Sequence, residues 1–306
     1  MYLKKIVSYF LSILVVVTMV TVSVQLNTHM FIFPEIAAMV FGMWVFRDPN
    51  WLRNPLKICI APSITSVIGC TINQLQVAYI YKVGFTLILM IIFLRLIQSN
   101  FAPSLATGLL PLITNSHEWI LVLWIFILTF ILMLLVIFFR LDHDVQKKKE
   151  IDYKSSYFFL LLTLLWLGIC RIFGFEHLAI IPPILVVIYE ALQKNEYSGK
   201  LAFKQGIALT ISGSVGTFIY LIMESWIMIT IISLGSMFFF SKIMDIRMPA
   251  VYAFPLLPFI LPIEMVLKLP LASFFTCLFL LITVVIYKKY EMLTKMKNLK
   301  SSNVAM

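Results

Sequence analysis

Charge is what this chain has least of. Only 12% of its 306 residues are Asp, Glu, Lys or Arg, against 61% hydrophobic, and the mean hydropathy is +1.00. A soluble domain of that composition would expose apolar patches large enough to aggregate, so a soluble fold is excluded. Cysteine is scarce as well. Cys59, Cys70, Cys170 and Cys277 lie inside apolar runs without CxxC spacing, which reads as packing rather than disulfides or metal ligands. The four histidines, His29, His117, His143 and His177, are too scattered to form a metal cluster. There is no Walker A loop, GxGxxG, HExxH or GxSxG, and no nucleophile–base pair is visible by spacing. Neither an enzyme nor a cofactor or metal is expected.

Apolar runs fill the space. A bilayer-crossing helix needs about 20 apolar residues, fewer when neighbours shelter it. About 12 segments can be drawn: 6–26, 31–46, 58–72, 77–97, 101–113, 119–139, 157–174, 179–192, 206–222, 226–242, 249–262 and 269–287. Several are too short to cross lipid unaided, which predicts burial among other helices or a broken span. The first resembles a signal peptide, but its apolar run is too long and no small-residue cleavage site follows, so it reads as a retained helix.

Threading these segments back and forth from a cytoplasmic N-terminus puts all of the 24 Lys and Arg residues except Lys82, Arg171 and Lys268 on the cytoplasmic side. Loops rich in Lys and Arg stay inside, so the expected location is the cell membrane, multi-pass, with both termini cytoplasmic. The net charge of +10 then follows from this bias and from attraction to anionic lipid, without nucleic acid.

The chain also repeats itself. "PEIAAMVFGMWVF", a basic loop, "KICIAPSITSVIGCTI", a helix and "FAPSLATGLLPLI" are followed later by "PPILVVIYEAL", a basic loop, "KQGIALTISGSVGTFI", a helix and "RMPAVYAFPLLPFILP". Pro34 pairs with Pro182, Lys57 with Lys204, Gly69 with Gly216 and Pro103 with Pro249, at offsets of 146 to 148. The fold expected is all-α and polytopic, in two parallel six-segment repeats, several segments short or Pro-broken. The divisions are a first repeat at 1–140, a charged cytoplasmic linker at 141–156, a second repeat at 157–290 and a cytoplasmic tail at 291–306.

Prolines near segment starts, followed by hydroxyl residues, mark candidate binding positions. Proline frees a backbone carbonyl one turn earlier. In lipid such groups are tolerated where protein or a water-filled cavity receives them. Ser63, Ser66, Ser104 and Thr107, with Ser212 and Ser214 of the second half, therefore line a candidate path for a small polar solute. The alternative is that these hydroxyls bond the preceding turn and let helices pack closely. Glu35 follows Pro34 near a segment start. A carboxylate there either serves function or caps the helix at the interface. Its repeat counterpart, Pro183, is not acidic. Lys82 and Arg171 are basic candidates on the outer approach, either holding an anion or snorkelling to headgroups. Glu190 reads as interfacial.

The first of these blocks resembles the HPP family of integral membrane proteins over residues 31–113, and more faintly 179–262. Arg53-Asn54-Pro55 is similar to that family's loop after its first helix, Ile68-Gly69 to its small-residue stretch, and Ala102-Pro103-Ser104 with Ala106-Thr107 to the signature opening its last helix. The resemblance implies a duplicated four-helix unit. Some members are implicated in nitrite transport, but here the signature His is Phe101 in one half and Arg247 in the other, and the second Pro is absent. The substrate is not carried over. The function expected is a transporter or channel for a small polar, anionic solute, with lipids as partners and a homo-oligomer left open. The alternative is a non-transporting protein: an assembly partner, a lipid-binding scaffold or an immunity-type protein.

Overall fold

With no water to satisfy exposed amides, an apolar chain in lipid has to close its hydrogen bonds within each segment. The computed structural model, which describes residues 2–28, 31–143 and 152–304, is helical, with no strand among the described residues. Eight helices are long and apolar enough to cross a membrane: α1 (Tyr2–Gln25), α4 (Pro55–Asn73), α5 (Tyr79–Leu96), α7 (Ile120–Phe138), α8 (Tyr153–Ile172), α10 (Gly199–Ile222), α11 (Trp226–Ile243) and α13 (Ile263–Val304). Four apolar segments are shorter: α2 (Pro34–Val40) with the π-turn Phe41–Val45, α6 (Pro103–Ile113), α9 (Pro182–Leu192), and α12 (Ala250–Ala253) with the 3-10 stretch Phe254–Phe259. A further one-turn helix, α3 (Pro49–Leu52), precedes α4.

The long helices present apolar side chains outward and to each other. On α7, Leu121, Ile125, Thr129, Leu132 and Val136 are buried at helical spacing, while Leu123, Phe126, Phe130, Leu134 and Ile137 stay exposed. Exposed Phe and Ile on every side is the surface that lipid requires. The short segments are the reverse. Every residue of α2, α6, α12 and Phe254–Phe259 is buried, and so is every residue of α9 except Glu190. They form the centre, and the long helices wrap them.

Prolines start these elements rather than break them. Pro34, Pro49, Pro55, Pro103 and Pro182 all occupy the first turn, where no amide is missed. Against the expectation of a Pro-broken span, α4 runs on through Pro62 and α13 through Pro270. Neighbouring helices tolerate the lost bond. Two other boundaries move outward. Ser198 caps α10 through the Leu201 amide, so that helix begins before its apolar run. α13 continues through the expected tail. Most of the expected linker, 144–151, with Lys147, Lys148 and Lys149, lies outside the described residues, as does His29.

Seven segments stop the same way. Asn27, Arg47, Gln98, Asn115, Arg140 and Asp245 take φ of 47 to 50°, and Gly174 takes 75°. Six are followed by an amide closing a six-residue loop, such as Thr28 N to Ser23 O and Ser99 N to Leu94 O, and after Arg47 the Asp48 amide reaches one residue further back, to Gly42 O. Only one of these positions is glycine, so the other six carry the strain of a left-handed side chain at a sharp exit from the helix.

The packing is reciprocal between the halves. α1 lies on α11, and α8 lies on α5. α2 lies on α12, and α9 lies on α6. Within each half, α4 packs on α6 and α7 as α10 packs on Phe254–Phe259 and α13.

Candidate functional site

The expected hydroxyl set is placed mostly on its own helices. Ser63 Oγ donates to Cys59 O at 2.7 Å, Ser66 Oγ to Ser63 O at 2.7 Å, and Ser214 Oγ to Thr210 O at 2.8 Å. Ser104 Oγ donates to Phe101 O at 2.5 Å. This is the packing alternative, since these donors are satisfied one turn back. Two members also reach across. Thr107 Oγ1 donates to Ser104 O at 3.0 Å, and it lies 3.1 Å from Thr65 Oγ1 and 3.4 Å from Pro62 O, joining α6 to α4 at mid-helix. Ser212 Oγ donates to Val251 O at 2.6 Å, joining α10 to α12.

The basic candidates have local partners. Lys82 Nζ donates to Asn73 O at 2.8 Å and lies 3.3 Å from Asn73 Oδ1, closing the C-terminal end of α4. Arg171 is exposed and pairs with Glu176 at 3.0 Å. Neither hydrogen-bonds to a member of the hydroxyl set.

Glu35 is different. It is 3% exposed, in the first turn of α2, and neither carboxylate oxygen has a hydrogen-bond partner among the described residues. The helix dipole favours an anion there, but a dipole's contribution is about 1 kcal/mol. That does not offset the several kcal/mol lost when an ionised group leaves water unpaired. No side-chain bond ties Glu35 to Ser63, Ser66, Ser104 or Thr107.

Beside it runs the seam between α2 and α12. At one end, next to the start of α2, a cavity of about 380 Å³ is lined by Ile32, Phe33, Thr114, Asn115, His117 and Glu118, among others. At the other end, a cavity of about 140 Å³ lies between the start of α1, Phe46 and the end of α11. Between them the seam is shut by Phe41, first residue of the π-turn that follows α2, and Tyr252 of α12, stacked 3.8 Å apart and 9° from parallel. The sequence reading missed this pair, because an aromatic inside an apolar run carries no distinguishing signal.

The matching seam between α9 and α6 is joined by hydrogen bonds. Asn100 Nδ2 donates to Gln193 Oε1 at 3.2 Å, and Tyr189 Oη donates to Asn100 Oδ1 at 3.4 Å. Gln193 Nε2 donates to Ser156 Oγ at 3.2 Å and to Asp152 O at 3.3 Å. Burial pushes the Asp152 carboxyl up. The Ser155 hydroxyl and the amides of Ser155 and Lys154 outweigh that and hold it below the usual carboxylate range. Trp51 Nε1 donates to Glu190 Oε1 at 2.8 Å, so the acid expected at the interface instead joins α3 to α9. The ring of Trp51 lies where a Cβ on Gly42 would fall, 2.2 Å away, which leaves glycine as the residue that fits the π-turn there.

Basic residues gather at one end. Lys57 reaches Gln98 O, Lys204 reaches Met244 O, and Arg95 lies over the rings of Tyr153 and Tyr157. These are the starts of α4, α8 and α10 and the ends of α5 and α11. No family model, curated protein or solved structure matches the chain. The helices define its class as a helical, multi-pass membrane protein.

Proposed function

We propose that the chain is a transporter or channel for a small polar, anionic solute in the cell membrane, with a path along the α2–α12 seam. The observation that carries this is the pair of cavities at opposite ends of one seam, closed between them by the Phe41–Tyr252 stack. Two vestibules on either side of a shut centre are what alternating access requires of an occluded state. Glu35, buried on the same helix without a partner, is assigned to couple the solute to proton movement.

In this reading the twelve apolar segments form two parallel six-segment repeats, residues 1–140 and 157–290. Several observations support it. Each half runs long, short, long, long, short, long. The left-handed exits Asn27 and Gly174, and Gln98 and Asp245, fall at the same offset of 147. The inter-helix contacts also exchange between the halves. The resemblance to the HPP family over 31–113 fits a duplicated unit and leaves the solute open. The basic end is assigned to the cytoplasm with both termini. Reporter fusions after Met306 and in the 141–154 segment are expected to read cytoplasmic. A periplasmic or extracellular signal at either overturns the topology.

One observation favours the rival reading, a non-transporting scaffold or assembly protein. The centre is packed by Phe, Leu, Ile and Tyr side chains, as a rigid core would be. Purified protein in liposomes separates the two. Uptake of a small anion or weak acid from a screened panel, faster with an inward proton gradient, is expected. Liposomes that take up none of the panel under either gradient would favour the scaffold.

A further inference from the structure

The cavity at the basic end has a chemistry of its own. It is about 140 Å³, many times the volume of one water probe, and is lined by Ile6, Tyr9, Phe46, Phe238, Ser241, Lys242, Asp245, Ile246 and Arg247. Ser241 is 5% exposed and its Oγ has no hydrogen-bond partner among the described residues. Behind it Tyr252 is fully buried, its hydroxyl facing those of Ser241 and Tyr9. Buried hydroxyls are normally bonded, and Ser241, on the cavity wall, is set to donate to a group that enters.

The equivalent place in the other half shows what a filled version looks like. Tyr9 and Lys242 match Tyr157 and Arg95 at offsets of 148 and 147. There Arg95 sits on Tyr153 and Tyr157 with its guanidinium 4.8 and 5.3 Å from the ring centres and donates to the Tyr157 hydroxyl. The neighbouring polar groups bond each other through Ser156, Tyr189, Gln193 and Asn100. In the first position the aromatic walls remain. Tyr9 packs edge-on against Phe238 at 4.8 Å and Phe46 at 6.4 Å, but the polar filling is replaced by open volume.

Two cations and one carboxylate, Lys242 and Arg247 against Asp245, leave the lining net positive. We propose that this cavity binds a small oxyanion, a carboxylate or a phosphate. The Ser241 hydroxyl, backed by Tyr252, donates to it, Lys242 and Arg247 supply the opposing charge, and Tyr9, Phe46 and Phe238 wall it. Charge-assisted bonds from a buried hydroxyl and a guanidinium suit such a group. The site does not depend on flux or on Glu35, so it is tested by binding alone.

The full-length protein is placed in phosphatidylcholine nanodiscs and its melting temperature followed against inorganic phosphate and, separately, benzoate, at constant ionic strength. A saturable rise is expected, because a ligand that binds only the folded state stabilises it. Ser241→Ala and Arg247→Gln should each raise the half-saturating concentration about tenfold, the loss of one charge-assisted bond. Lys194→Gln, an exposed cation at the same end, should leave it unchanged. A parallel series uses nanodiscs containing phosphatidylglycerol. If only those discs stabilise the protein, and the gain is lost in Ser241→Ala and Arg247→Gln, the oxyanion is a lipid headgroup. If soluble phosphate or benzoate gives the dependent rise, the oxyanion is a free solute. The variants' melting temperatures without ligand show that they are folded. Folded variants that respond like the wild type in both series, or a wild type that responds in neither, overturn the site.

Discussion

Replacing Glu35 by Gln should reduce flux at least about tenfold while protein abundance stays near normal and the melting temperature is unchanged or higher. The sign of the stability effect follows from the geometry. Glu35 is buried and neither oxygen has a hydrogen-bond partner among the described residues, so the native fold gains nothing from its charge beyond the helix end. Gln keeps the shape and removes the cost of burying an ion. A residue retained against stability is retained for another task, and in a membrane helix that task is by default functional. Proteoliposome uptake with and without a proton gradient, alongside thermal melting of the purified variant, measures both halves of the expectation. Wild-type uptake in Glu35→Gln would remove Glu35 from the path. Lost abundance with a lower melting temperature would make it a structural cap.

The second large effect concerns two glycines at matching places in the halves. A Cβ on Gly69 would fall 1.9 Å from the Gly108 carbonyl oxygen, and one on Gly216 would fall 2.4 Å from Pro255 Cα. Both obstacles are backbone, which cannot rotate aside as a side chain can. Gly69→Ala and Gly216→Ala should each destabilise by about 3 kcal/mol, the upper range for overpacking, and lower the yield of folded protein. Gly168 and Gly235 lie in α8 and α11 with nothing within 4 Å of the added atom. Alanine there should be neutral or stabilising by up to about 1 kcal/mol, from helix propensity alone. Melting temperatures of the four variants in one detergent check the contrast. Equal effects at all four positions would show that close backbone approach is not what selects glycine at 69 and 216.

All twelve apolar runs coincide with helices, because in lipid an apolar stretch has no other way to bond its amides. The edges were less legible. Capped by Ser198, α10 starts at Gly199, seven residues before the expected 206, and α13 passes through Pro270, since caps and neighbours rather than hydropathy set those limits. Gly69 and Gly216 each lie against the backbone of a short central segment, at Gly108 and Pro255. The candidate site was harder to read. Ser63, Ser66 and Ser214 bond their own preceding turns, which a list of hydroxyls in sequence cannot distinguish from a lined path. Thr107 and Ser212 reach other helices, and only the fold tells these two groups apart. The Phe41–Tyr252 stack joins residues of opposite halves, and nothing local to either marks it. The signal open to sequence for Tyr9 and Lys242 is spacing alone, 148 and 147 residues from Tyr157 and Arg95.

The exchanged packing of α1 onto α11 also sets an order of assembly. α1 is made well before α11, and the partner for one of its faces is not made until the ribosome has passed Trp226. During that interval the helix waits against lipid or α2, and α5 likewise waits for α8. A chain interrupted between the halves therefore leaves two fragments, each with an unmet helix face that the other supplies. Quality control in the membrane would meet this protein as an orphan until its second half arrives, and a severed pair made together in one cell could still find each other.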